Sequence, residues 1–379
     1  MSLLIATDEA GYGPRLGPLV IVATAWRLQP GWSWDGADDR LAEPIDLPDV
    51  GTLRVDDSKL LFRPAGRPFV GGGTDCSART DGLGRLRCVT AAAASWAGLP
   101  DPDRDESGWF KRIAAADWPG LLEQPWFAGM AVAGRSASAT PDVAVPDVIE
   151  PDITEPDEQQ PIGMSASEGA DLSPAQQLIR HWQTGGLQLV GIAARVIDAA
   201  RYNRMLGREN KADLLSRLTC ELALGLLHQH ADSDDPSAEI HVFSDRHGGR
   251  SRYGALLQHH CPDRLMSVVV EGKPCSEYRL RTLASDDQKS PPIRWRFTIK
   301  GDRFPPVAMS SIVAKATRER LMGHFNAYFR ALRAIESGGR GPELRPTAGY
   351  AVDADRFLAE TESLRRAHSI ADERLIRSR

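Results

Sequence analysis

Cysteine is scarce in this chain. There are five in 379 residues (Cys76, Cys88, Cys220, Cys261 and Cys275), an odd number with no C-x-x-C pair. That argues against a disulfide framework and a thiolate zinc site, and a reducing cytoplasm is the natural setting. Long apolar runs are also missing. None approaches the ~20 residues that span a bilayer, so no membrane partner is expected. The opening MSLLIATDEAG has no basic start and puts Asp8 and Glu9 where a signal peptide would stay apolar, so export is not expected. Basic residues are absent from one long stretch: residues 136–173 hold nine carboxylates and no Lys or Arg. The net charge of −5 becomes +4 once those nine are set aside. A mildly basic body fits a phosphate-rich partner, weakly.

On a prior of ~150 residues per domain, the length suggests two domains or one with a large insertion. Residues 140–161 (TPDVAVPDVIEPDITEPDEQQP) repeat Pro-Asp and Glu-Pro pairs. Proline denies them a helix and like charges repel, so 136–175 is expected to be a disordered acidic loop. It is either an inert spacer or an element that mimics nucleic acid and slows substrate binding. Residues 62–135 are expected to form an inserted helical subdomain. Their tryptophans Trp96, Trp109, Trp118 and Trp126 suit a buried core better than a stacking platform for bases. Residues 1–61 and 176–379 alternate strand and helix. Leu3–Thr7, Pro18–Trp26, Leu187–Val196, Ile240–Phe243 and Ile293–Ile299 read as strands. Lys211–His228 and Ser310–Ile335 read as amphipathic helices. The fold class is α/β or α+β with a mixed sheet.

Three of the expected strands run into carboxylates: Asp8-Glu9, Asp245 and Asp302. One such residue is ordinarily a solvated strand end. Three together suggest that neighbouring strands bring them to one point. Four crowded carboxylates would raise one another's pKa unless cations sit between them. Oxygen-only ligands select Mg²⁺ or Mn²⁺. Two such ions are the arrangement used for in-line attack on a phosphodiester.

Gly11, Gly13 and Gly17 follow the first of these strands. The spacing is G-x-G-x-x-x-G rather than the dinucleotide fingerprint, and two adjacent carboxylates would repel a pyrophosphate. A tight turn is one reading. The other is a backbone that a sugar–phosphate chain approaches closely through a bridging metal.

The segment ATDEAGYGPRLGPLV resembles the opening motif of prokaryotic type-2 ribonucleases H, ribonuclease HII and ribonuclease HIII. Further resemblances follow in family order: VDDSKLL (55–61), VFSDRHG (242–248), IKGDRFPPVAMSSIVAKATRERLM (299–322) and TAGYAVDADRFL (347–358). They imply a ribonuclease H-like fold, with a central mixed sheet flanked by helices and a large insertion. They also imply a two-metal endonuclease acting on RNA–DNA hybrids or on ribonucleotide-containing duplex DNA, leaving 3′-hydroxyl and 5′-phosphate ends. By the same resemblance, Asp8, Glu9, Asp245 and Asp302 bind metal and are catalytic. The Gly11-Tyr12-Gly13 backbone would meet the ribose 2′-hydroxyl. Lys59, Ser311 and Lys315 would hold phosphates, and Tyr350 would lie against the sugar at the RNA–DNA junction. Ser311 and Lys315 share a helix face, which Arg318 would extend.

The chain departs from the pattern at several places. Tyr12 stands where the motif usually has arginine, which removes a cation near the scissile bond. Ser244-Asp245-Arg246 replaces the usual Asp-Gly setting. The stretch between Asp245 and Asp302 is longer than is typical. Val352-Asp353 looks closer to ribonuclease HIII and archaeal relatives than to typical bacterial ribonuclease HII. A binding module of the same fold with lost or altered activity, and a deoxyribonuclease using the same metals, are the alternatives.

Overall fold

A computed structural model of the chain describes residues 2–31, 40–47, 50–56, 58–61, 82–131, 172–231, 240–282, 291–340 and 342–378. The main sheet has seven strands: β1 Ser2–Ala10, β2 Leu19–Leu28, β5 Leu187–Ile197, β6 Ile240–Asp245, β7 Arg264–Glu271, β8 Cys275–Thr282 and β9 Ile293–Thr298. Their order is β5-β2-β1-β6-β9-β8-β7. Strands β1, β6 and β9 are parallel, and the remaining neighbours pair antiparallel. A small hairpin, β3 Ile45–Leu47 with β4 Gly51–Leu53, stands apart. The fold is the α/β class with a mixed sheet that the sequence implies.

Strands β1 and β2 are apolar at almost every position and buried on both faces, the pattern of central strands covered on two sides. One cover is the long helix Pro305–Ser337, which packs on β1 and β2. It opens with proline in its first turn and ends at Gly338 in the left-handed region (φ 57°). The other cover is the helix Lys211–His230, capped by Asn210, whose side chain accepts from the amides of Ala212 (3.0 Å) and Asp213 (2.9 Å).

The helices of 82–131 belong to the first of these two core layers rather than to a separate one. They are Gly82–Trp96, Glu106–Ile113, Trp118–Leu122 and the 3₁₀ turn Ala128–Ala131. Trp126 packs on Phe325, Tyr328 and Phe329 of the long helix. Trp96 stacks on Trp182 at 5.7 Å and meets Trp26 edge-on at 5.6 Å. Asp117 is buried; it accepts from the amide of Val196 (2.7 Å) and pairs with Arg195 and Arg201. These residues are fixed to β5 and the long helix by apolar contact and by a fully partnered buried carboxylate. All four tryptophans take part in packing, three of them buried.

Most of the acidic stretch lies outside the described residues. Its last residues do not continue a loop: Ser173 and Gln176 form a reciprocal capping box for the helix Pro174–Gln183. Regular structure therefore resumes just before the expected boundary at 176. The strand expected to reach Ile299 stops at Thr298, and Ile299 is exposed. The hairpin β7–β8 accounts for much of the long stretch between Asp245 and Asp302.

Candidate active site

The register of the parallel strands explains how the carboxylates meet. Thr7 of β1 lies beside Ser244 of β6, and one step further along both strands stand Asp8 and Asp245. Asp245 is in turn paired with Thr298, the last residue of β9. After Thr298 the chain turns sharply. Lys300 adopts the left-handed region (φ 58°), which costs a non-glycine residue ~1–2 kcal/mol, and Gly301–Arg303 forms one 3₁₀ turn carrying Asp302. The amide of Gly301 donates to Asp245 Oδ1 at 2.8 Å. A Cβ on Gly301 would lie 3.1 Å from Asp245 Cα, a tight contact that favours glycine where this turn closes over the strand end. Below the carboxylates, Thr7 donates to Ser244 Oγ (2.8 Å), and the Trp295 indole donates to the same oxygen (3.2 Å). Every buried polar atom of this floor thus has a partner.

The electrostatics are those of crowded acids. Burial, and then the neighbouring Asp245, push the Asp8 carboxyl up to about 7, with Asp302 adding to the rise. Hydrogen bonds from Ser311 and from the Glu9 amide (2.8 Å to Oδ1) work in the opposite direction. Burial, with Asp8 and Asp245, also holds Glu9 well above the usual carboxylate range. Such a group of anions invites a counter-cation. Its donors are all hard oxygen, the set that suits Mg²⁺ or Mn²⁺. Among the described residues, no three His, Cys, Asp or Glu side chains close on a single point as a preformed cage. The donor chemistry therefore fits a divalent ion.

Two buried arginines clamp the glycine-rich loop after β1. Arg318 donates to the carbonyls of Leu16 (3.2 Å) and Ala348 (3.0 Å). Arg377 donates to the carbonyls of Gly11 (2.5 Å) and Pro14. Gly11 has φ 87°, and a Cβ there would meet Arg318 Nε at 2.5 Å and the Pro18 carbonyl at 2.6 Å. This glycine is required by both conformation and space. Arg318 is 3% exposed, so it does not extend an exposed basic helix face as the i, i+3 spacing suggested; it is committed to the loop.

The other expected residues fall at different distances from the carboxylates. Ser311 is buried and hydrogen-bonded both to Asp8 and to Ser58 Oγ (3.1 Å). It braces a carboxylate in addition to any role toward phosphate. Lys315 is partly buried one turn further along the same helix. Lys59 lies on the short helix Ser58–Leu61, and its side chain is outside the described residues. Tyr350 is 57% exposed, with its ring edge 4.0 Å from where a Gly13 Cβ would stand. Tyr350 and Gly13 therefore border one surface beside the loop.

Tyr12 has neighbours that the sequence did not announce. Lys211 Nζ sits 4.3 Å above its ring, which places a cation beside the glycine-rich loop. Burial, and then the nearby Glu9, raise the Tyr12 phenol, while Arg250 opposes the shift. The one available signal was Lys211 standing directly after a helix-capping asparagine. Its proximity to Tyr12 depends on tertiary packing.

The site and the sheet define an α/β protein with acidic side chains gathered at the ends of its parallel strands. The chain is similar to two solved type-2 ribonuclease H structures. One is a PCNA:RNase HII complex from Archaeoglobus fulgidus, with 13% identity over 100% of this chain and 94% of that chain, at a TM-score of 0.36. The other is the ribonuclease H2 from Pyrococcus horikoshii OT3, with 12% identity over 98% and 92%, at a TM-score of 0.34. No protein-family model and no curated protein sequence matches the chain.

Proposed function

We propose that this protein is a divalent-metal-dependent endoribonuclease of the type-2 ribonuclease H kind. It hydrolyses the RNA strand of RNA–DNA hybrids or ribonucleotides embedded in duplex DNA. The observation that carries this reading is the buried Asp8, level with Asp245 one step beyond the Thr7–Ser244 pair and within electrostatic reach of Asp302, its proton affinity raised by burial and by that company. A protein with no use for a cation would have little reason to keep these acids together, since their crowding opposes folding at neutral pH. Asp8, Glu9, Asp245 and Asp302 would hold the ions, two in the two-metal scheme. Bound Mg²⁺ or Mn²⁺ acidifies water and neutralises charge on phosphoryl and leaving oxygens.

The chain's own residues supply position. The loop clamped by Arg318 and Arg377 leaves Gly13 exposed with no side chain, a surface where a ribose can approach the backbone closely. Tyr350 borders that surface with an exposed ring able to lie against a sugar. Lys211, Lys315 and Lys59 are the candidate phosphate contacts around it. The expected products carry 3′-hydroxyl and 5′-phosphate ends.

The test is a cleavage assay with Mg²⁺ and with Mn²⁺ on three duplexes: DNA with one ribonucleotide, an RNA–DNA hybrid, and plain DNA. Cutting confined to ribonucleotide-containing strands and lost in Asp8→Asn is the expected result, and the preferred duplex assigns the subtype. Equal cutting of plain DNA would replace this reading with that of a deoxyribonuclease. Binding without cutting, by folded protein in either metal, would replace it with that of a binding module.

A further inference from the structure

The long helix and the helices of 82–131 cover only part of one sheet face. The core cluster beneath them includes no residue of β7, β8 or β9. On that uncovered part the outward positions are Arg279 and Arg281 of β8 and Arg294 and Arg296 of β9, with Arg279 directly opposite Arg294. Among the described residues one carboxylate, Glu277, stands with them. It is 6% exposed and bonds to both Arg294 (2.7 Å) and Arg296 (2.7 Å), whose side chains remain 40% and 41% exposed. Arg296 also lies 5.4 Å over the Phe243 ring. Arg279 and Arg281 are exposed and form no ion pair among the described residues. Among the described residues, four guanidinium groups stand against one carboxylate, which makes a strongly positive strip. Like charges directly opposite one another on a sheet destabilise it, so the fold itself gains nothing from the Arg279–Arg294 pair.

The strip begins at the carboxylate site. Cys275 of β8, Thr298 of β9 and Asp245 of β6 lie on one rung of the sheet. Arg246, next to Asp245, donates to the carbonyls of Lys273 and Gly272 (2.6 Å) in the β7–β8 turn, and the Ile299 amide donates to the Pro274 carbonyl (3.1 Å). The hairpin is thereby fixed to the active end of the sheet. From that rung, Arg279 stands ~13 Å and Arg281 ~20 Å along the strand at ~3.3 Å per residue.

We propose that this arginine strip on β8 and β9 binds the sugar–phosphate backbone of a nucleic-acid duplex, as a second contact surface some six base pairs from the carboxylates. The inference rests on the functional reading for its ligand class, but the strip binds without cleaving. Its contacts go to phosphates, so it reads neither sequence nor sugar and holds RNA–DNA hybrid and DNA duplex alike. Arginine's planar fork suits phosphate oxygens. The strip would add affinity and fix the direction in which a duplex leaves the site.

The test is equilibrium binding of fluorescently labelled 24-base-pair RNA–DNA hybrid and DNA duplexes to the full chain in EDTA, over a salt series, so that nothing is cut. Arg279→Ala/Arg281→Ala should weaken binding of both duplexes by the same factor and make the log K against log [salt] slope shallower by about 2. Arg279→Lys/Arg281→Lys should restore the slope. Both positions are exposed, so the variants should fold; circular dichroism checks this. An unchanged slope in the alanine variant would overturn the proposal and leave the strip to a protein partner. A slope change seen with hybrid alone would also overturn it. If wild-type protein binds neither duplex, this inference and the ribonuclease reading fail together. If the slope shifts as expected but no substrate is cut in Mg²⁺ or Mn²⁺, only the ribonuclease reading fails.

Discussion

The two halves of the main sheet are built on different terms. In the half formed by β5, β2 and β1, both faces are dry. The strands are near-continuous apolar runs, and aromatic side chains from the long helix and from residues 82–131 close one side. In the other half, β9 and β8 have one dry face and one that carries arginine, and β7 beyond them is largely exposed. Trp295 and Phe297 point into the core, while Arg294 and Arg296 alternate with them toward solvent. The carboxylates stand where the halves meet, at the ends of β1 and β6. A buried sheet edge beside a solvated basic one is a good place for acids: one side fixes their geometry and the other admits a charged ligand.

The largest expected effect lies at that boundary. Asp245→Asn should leave the protein folded, because its Oδ1 can still accept from Gly301. Single-turnover cleavage should fall at least on the order of 10²-fold, the scale on which single preorganised electrostatic groups act. A variant with near wild-type turnover would remove Asp245 from the site and dissolve the comparison.

In the dry half the cost should be paid in stability. Trp126→Ala empties a pocket lined by Phe325, Tyr328 and Phe329. Aromatic truncations in cores cost ~3–5 kcal/mol, which urea titration would read as a lower midpoint at unchanged slope. A loss below ~1 kcal/mol would mean that residues 82–131 are only loosely joined to the sheet.

The boundary carboxylates give a pH-dependent effect of intermediate size. Asp8 is pushed up to about 7 from an ordinary 3.8. The folded state therefore binds more protons than the unfolded state between those values, and stability from this group falls as pH rises from about 4 to about 7. With metal chelated, Asp8→Asn should leave the melting temperature little changed near pH 4 and raise it at pH 8. His247 has the opposite sign. Burial depresses it to about 3, so it costs stability as pH falls from about 6.5. The difference between variant and wild type isolates Asp8. A variant less stable at pH 8 would show that the carboxylates are not crowded in solution.

Much of the dry half and the boundary could be read from sequence, because β-branched runs that end in acids carry both the strand and its end. The carboxylates were legible for that reason, as was the glycine-rich turn. Three things were not. Spacing placed Arg318 on an exposed face, since nothing local reveals that the 11–18 loop and residues 347–350 fold over it. The tryptophans read as core, but their sequence does not say that the core is the sheet's own. The hairpin β7–β8 escaped notice because Val268, Val269 and Val270 form an apolar run with no alternation, and the structure leaves all three exposed. Their strand exists because β8 pairs with it, not because it buries a face.

That last contrast yields the smallest expected effect. Val22 of β2 and Val268 of β7 are both β-branched strand residues in one sheet. Val22 is fully buried, whereas Val268 is 54% exposed. Val→Thr replaces a methyl group with a hydroxyl of similar size, so it measures dryness rather than volume. At Val22 the hydroxyl would need a partner inside a packed layer, and an unsatisfied buried polar group costs ~1–3 kcal/mol. At Val268 water can satisfy it, and the change should stay within about 0.5 kcal/mol, as exposed substitutions do. Equal costs at the two positions, measured by urea titration, would show that β7 is covered in solution. Its open edge is the surface to which another strand could add.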